Sequence, residues 1–205
     1  MADKIIVIKK EAETEITISK SVFVANSFIC NSVDDPRRCL ELIKKRFPDA
    51  NHHCWAYRIG MSGEQMRYND DGEPHGTAGP PILDVLVKKN ITNTLIIVTR
   101  WFGGIKLGTG GLVRAYSEAA VAVLDRSDIG ELIETAVYIC VLPYDRLKPF
   151  ENGLNDFNAI INDKQFTDNV SLTVQLPIVN AANFEQYFAN ITSGRKCVKQ
   201  KTIFI

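Results

Sequence analysis

The stretch from Thr94 to Asp125 constrains this chain most. Thr94-Leu95-Ile96-Ile97-Val98-Thr99 is almost continuously apolar. Such a run suits a strand buried on both sides, in the middle of a sheet. A loop rich in glycine and cations follows, and then a helix begins. Gly108 or Thr109 caps that helix, which runs to about Asp125. Its inner face is Leu112, Ala115, Tyr116, Ala119, Ala120 and Val123. These side chains are mostly small, so the helix packs close on its sheet. The remaining elements have to be arranged around this strand, loop and helix.

Upstream, three segments read as strands by apolar content or alternation: Ile5 to Ile8, Thr14 to Ser19, and Val22 to Cys30. Ser32 offers an N-cap, with Asp34 and Asp35 in the first turn of a helix that reaches Phe47 and stops before Pro48. Cys39, Leu40, Ile43 and Phe47 fall on its inner face. Arg37, Arg38, Lys44, Lys45 and Arg46 make a solvated outer face. Ala50 to Gly60 and Met66 to Asn69 read as partner strands. Gly79-Pro80-Pro81 opens a second helix that ends at Asn90, since proline is tolerated in a first helical turn.

Ser127-Asp128-Ile129-Gly130 is the expected boundary, giving domains 1–128 and 129–205. Beyond it, strands are expected at Leu132 to Leu142, Asn158 to Phe166, the alternating run from Val170, and Val198 to Ile205. Pro143 begins one helix and Asn180 caps another. The order βαββαβ is a ferredoxin-like split unit. Pro149 should kink the first of those helices or push its start back to Lys148.

Lys plus Arg equals Asp plus Glu, at 24 each. That balance argues against a constitutive polyelectrolyte binder, though not against a local basic patch. The five cysteines are scattered and include no Cys-x-x-Cys, so they read as reduced thiols in a cytoplasmic protein. No stretch approaches the roughly 18 apolar residues of a membrane span, and no apolar leader is visible. No metal and no cofactor is expected.

Two loops hold the residues with chemistry. In the second, Arg100, Gly103, Gly104, Lys106, Gly108, Thr109, Gly110, Gly111 and Arg114 follow a strand and lead into a helix. Backbone N–H groups at a helix N-terminus point outward with the positive end of the dipole, so a phosphate, a carboxylate or a nucleic-acid backbone is the natural guest. The spacing is neither that of a P-loop nor that of a dinucleotide fingerprint. The first loop holds Asp70, Asp71, Glu73, His75 and Thr77. Its acidic groups read as ordering residues, with Asp70 or Asp71 pairing Arg100 or Arg114 to fix one loop against the other. Thr77 and Thr109 would add hydroxyl donors. Cys54 reads as a buried structural thiol rather than a nucleophile.

These residues resemble the YigZ/IMPACT family, and specifically its bacterial two-domain members. The match is carried by Ala56-Tyr57-Arg58, by Asp70-Asp71-Gly72-Glu73-Pro74 with Gly76-Thr77-Ala78-Gly79, and by the run from Arg100 to Tyr116. His75 stands where the family usually has serine, and Trp101 where it usually has tyrosine. The resemblance implies an α+β chain. Its N-terminal domain would be like the second domain of ribosomal protein S5, and its C-terminal domain ferredoxin-like. Both parallels imply RNA or ribosome contact. The eukaryotic relative IMPACT regulates translation by competing for the activator of a stress kinase, a partner not expected to carry over to this chain.

The leading expectation is a translation-associated, RNA- or ribosome-binding regulatory protein with an anion-binding loop, rather than an enzyme. Two other readings stand beside it. One is an enzyme acting on a phosphorylated or carboxylated small molecule, with or without a metal. It requires His75, Asp70, Asp71 and Glu73 to converge on one pocket with the glycine loop. The other is a protein–protein regulator without a small ligand.

Overall fold

The computed structural model describes residues 5–204, so Ile205 of the expected last strand lies outside the described residues. The chain forms two compact units that part between Glu131 and Leu132. In the first unit the elements are β1 (Ile5–Ile8), β2 (Ala12–Ile18), β3 (Ser21–Ile29), α1 (Asp35–Arg46), β4 (His52–Ile59), β5 (Gln65–Asn69), α2 (Gly79–Lys88), β6 (Ile91–Thr92), β7 (Thr94–Trp101) and α3 (Gly108–Arg126), followed by β8 (Ile129–Leu132).

The apolar run at Thr94 becomes the central strand. The main sheet has the order β2-β3-β7-β4-β5 and is antiparallel throughout. Strand alternation divides its side chains between two cores. Ile96 and Val98 of β7 join Phe23, Ala25, Cys54 and Ala56 beneath α2 and α3. Leu95 and Ile97 join Tyr57, Ile59 and Ile43 beneath α1. Ala115, Ala119 and Ala120 of α3 are fully buried, as close helix-on-sheet packing requires. A smaller sheet, β6-β1-β8, gathers short segments, with β1 parallel to β6. β8 pairs beside β1, which carries the first unit a few residues past Asp128.

Ser32 does not cap α1. The Asp35 carboxylate accepts from the backbone N–H of Asn31 and of Ser32, at 3.0 and 2.9 Å, and Arg38 bonds its other oxygen. Burial acts against ionisation here, but these bonds hold the Asp35 carboxyl below its ordinary value.

The second unit contains β9 (Glu134–Leu142), α4 (Tyr144–Gly153), β10 (Ile160–Phe166), β11 (Val170–Pro177), α5 (Ala181–Ile191) and β12 (Val198–Phe204). Its four strands lie in the order β10-β11-β9-β12, all antiparallel. α4 and α5 supply Phe150, Phe184 and Phe188 to a core shared with Tyr138, Leu172 and Val174. Pro149 neither ends α4 nor delays its start; the helix runs from Tyr144 through it. The missing N–H costs one bond, to the carbonyl of Asp145 in the exposed first turn. The Tyr187 hydroxyl of α5 lies 3.0 Å from the carbonyls of both Pro149 and Phe150.

Candidate functional site

Each carboxylate of the first loop is occupied by a different part of the first unit. Asp70 accepts three backbone bonds, from Gly76 at 2.9 Å, Ala78 at 3.1 Å and Gly79 at 2.8 Å. Ala78 is the N-cap position and Gly79 the first residue of α2, so the Asp70 carboxylate holds the amides at the head of that helix. Asp71, at φ +43°, accepts from the His53 N–H at 2.7 Å and pairs with Lys44 of α1 at 3.4 Å. The Thr77 hydroxyl donates to the Pro74 carbonyl at 2.7 Å and is buried, so it is no donor to an external anion. His75 is fully in solvent, 3.7 Å from Asp70.

Glu73 reaches inward instead. Its Oε1 accepts from Arg100 Nη1 at 2.6 Å and from the Tyr116 hydroxyl at 2.7 Å. The side chains of Arg100 and Glu73 are 6% and 3% exposed, so this ion pair is inside the fold. The link between the loops is therefore Glu73 to Arg100, and neither Asp70 nor Asp71 makes it. Arg100 is correspondingly not a surface cation. It points inward from β7 because its neighbours Thr99 and Trp101 take the opposite face. Its Nη2 donates to the Ser21 hydroxyl at 3.2 Å, and the same oxygen accepts the Gly103 N–H at 3.2 Å. The buried pair thus sets the base of the glycine loop. Cys54 Sγ lies 3.4 Å from the Tyr116 hydroxyl and 2.9 Å from the Asp70 carbonyl. Burial pushes the Cys54 thiol and the Tyr116 phenol far above their ordinary values, which makes both inert structural groups.

The second loop is anchored at its start and open at its end. The Phe102 N–H donates to Asn51 Oδ1 at 2.7 Å, and the Trp101 indole donates to Asp49 at 3.0 Å. Gly103 packs so tightly against the β2–β3 turn that a Cβ there would lie 1.9 Å from the Lys20 carbonyl. Gly108, at φ +70°, turns the chain into α3 in a conformation that favours glycine. No side chain caps α3. Gly108, Thr109 and Gly110 are exposed, and so are Lys106 and Arg114. Among the described residues neither cation has an ion partner. Phe102, Ile105 and Val113 are also exposed beside them.

The structure therefore places Gly103, Gly104 and Lys106 in the loop that leads to α3, and Gly108, Thr109, Gly110, Gly111 and Arg114 in the first two turns of that helix. It places Arg100, Glu73 and Thr77 beneath the surface. Asp71 and Glu73 turn away from Asp70 and from each other, while His75 stays beside Asp70. Sequence reasoning missed Ser21, Asn51 and Asp49, which have no local signal because they reach the loop only through the sheet.

The sheet of the first unit, with one open and one capped helix head, joined to a β-α-β-β-α-β unit, defines a two-unit α+β chain. Residues 19–124 match the Impact N-terminal domain, and residues 140–195 match the family described as Domain of unknown function (DUF1949). The chain is 33% identical to IMPACT family member YvyE of Bacillus subtilis (strain 168), over 94% of this chain and 89% of that one. It is 32% identical to IMPACT family member YigZ of Escherichia coli (strain K12), over 86% and 88%. A solved structure described as a crystal structure of an hypothetical protein aligns with a TM-score of 0.62 at 27% identity, covering 100% of this chain and 98% of that one. The chain belongs to the IMPACT family. Among the described residues no helix is long and apolar enough to cross a membrane.

Proposed function

We propose that this protein is a translation-associated regulator that works in the cytoplasm by contacting RNA or the ribosome, and that the head of α3 holds a phosphate group of that partner. The single observation that carries the reading is the contrast between two helices of one unit. The first amides of α2 are satisfied by Asp70. Among the described residues no side chain bonds the first amides of α3, and Gly108, Thr109 and Gly110 there are exposed, as are Lys106 and Arg114. An open helix N-terminus favours an anion by about 0.3–1 kcal/mol, and flanking cations add to it. The exposed Phe102 ring offers a stacking surface for a base beside the phosphate.

The same reading takes the first unit as like the second domain of ribosomal protein S5 and the second as ferredoxin-like. Support for the latter is the element order and the strand order β10-β11-β9-β12.

Ribosome co-sedimentation and titration of a labelled structured RNA across salt concentrations test the function. Lys106→Ala and Arg114→Ala are each expected to weaken binding and to lower the slope of log K against log salt by about one. Lys106→Arg should retain the slope. Absence of salt-sensitive binding by the wild-type protein would overturn the reading.

A further inference from the structure

Two of the five thiols meet inside the second unit. Val198 of β12 stands opposite Ile139 of β9, and continuing that antiparallel register by one residue brings Cys197, just before β12, toward Cys140. Opposed residues of an antiparallel pair have Cα atoms about 4.5 or 5.5 Å apart. Both spacings lie within the roughly 4.4–6.8 Å that a disulfide spans. Cys140 is fully buried in the core, and Cys197 packs on that core while half-exposed. The two thiols lie near enough for each to shift the other's ionisation.

Cys197 also opens into a groove of about 350 Å³ between α5 and the start of β12. The α5 wall there carries the small residues Ala182 and Ala189 beside Glu185 and Gln186. Lys196 and Lys199 line the opposite side. Glu185, the carboxylate in the groove, accepts the Tyr138 hydroxyl at 2.6 Å.

We propose that Cys197 and Cys140 form a redox-active dithiol, with Cys197 the nucleophile that a small peroxide reaches through the groove and Cys140 the thiol that resolves it. The Cys140 thiol leads in holding the Cys197 sulfhydryl below its ordinary value, against burial and the Glu185 charge. The same interaction, with burial, pushes Cys140 up. The half-exposed sulfur is thus the one inclined to ionise. The Cys30–Cys39 pair of the first unit is a contrasting case. Its thiols also influence each other, but burial is the leading effect and both are pushed up.

The chemistry balances in two steps. The Cys197 thiolate attacks one oxygen of a peroxide ROOH. A sulfur–oxygen bond forms as the oxygen–oxygen bond breaks, and the leaving alkoxide takes up a proton and departs as ROH. Cys197 is then a sulfenic acid. The Cys140 sulfur attacks the Cys197 sulfur, a sulfur–sulfur bond forms, and the sulfenic hydroxyl leaves with the Cys140 proton as water. Two electrons pass from the dithiol to the peroxide. The product is a disulfide that ties the residue just before β12 to β9.

The test uses the reduced full-length chain. In the wild-type protein, brief iodoacetamide treatment followed by peptide mass mapping should label Cys197 roughly tenfold or more faster than Cys39, the other half-buried thiol. Near-stoichiometric hydrogen peroxide should then yield an intrachain Cys140–Cys197 disulfide. With Cys140→Ser, a 1,3-dione sulfenic-acid probe should accumulate on Cys197 instead. Equal labelling of Cys197 and Cys39 overturns the nucleophile. A peroxide-treated wild type without that disulfide, or with Cys197 joined to a second chain, overturns the pair, and neither result depends on the variant folding.

Discussion

The Glu73–Arg100 pair is a sharp place to perturb the first unit. Arg100→Met removes the guanidinium but leaves a carboxylate that is 3% exposed, with the Tyr116 hydroxyl as its remaining hydrogen-bond donor. Breaking a buried pair by removing one partner costs about 3–5 kcal/mol, because the other charge stays desolvated. Glu73→Leu leaves the guanidinium in the same position, with one neutral bond to Ser21, and should cost a similar amount. The double variant carries neither charge. What it loses is chiefly the Tyr116 hydroxyl's acceptor and one bond to Ser21, together about 1–3 kcal/mol. The cycle should therefore return a coupling of about 3 kcal/mol or more. Urea unfolding followed by tryptophan fluorescence is the assay. The chain has two tryptophans, Trp55 and Trp101, and both belong to the first unit, so the signal follows that unit. A double variant as unstable as the sum of the singles would refute the claim that the two charges exist for each other.

Asp70→Ala should destabilise the first unit by about 1–2 kcal/mol by uncapping α2, measured in the same urea assay. Burial holds the His53 imidazole below its ordinary value of 6.5, helped by Lys44 and opposed by Asp71. The unfolded chain then takes up this proton first as pH falls. The stability tied to neutral His53 is complete above about pH 6.5 and is lost as pH drops through the lowered folded value. His53→Gln should flatten the urea midpoint between about pH 7.5 and pH 5.5 relative to wild type; an unchanged slope would remove His53 from the account. For Lys106→Ala and Arg114→Ala, weakened salt-sensitive binding should come without a change in urea midpoint, since both side chains are exposed and unpaired among the described residues.

How much of this was legible follows from the range of each interaction. The strand at Thr94, the helix after it and the two-unit division rest on patterns within a dozen residues, and periodicity exposes them. The two-residue strand β6 has no such pattern; it exists because β1 lies parallel to it. Pro149 inside α4 defied a local rule because the bond it removes falls in an exposed turn. In the candidate site, the glycine-rich approach to α3 is written in consecutive residues. The partners of the acidic loop are not. Glu73 meets Arg100 and Tyr116, 27 and 43 positions along the chain, through sheet register and helix packing. The approach of Cys197 to Cys140 is likewise a consequence of strand pairing.

The central claim is that α3 is an anion site and α2 is not, although both helices begin in glycine-rich loops. Amide-resolved NMR during titration of a structured RNA tests it most directly. The account expects saturable, salt-sensitive shifts at the amides of Thr109, Gly110 and Gly111, with those of Gly76, Ala78 and Gly79 unmoved because Asp70 already holds them. Shifts at the head of α2, or none at the head of α3 while RNA binds elsewhere, would contradict it.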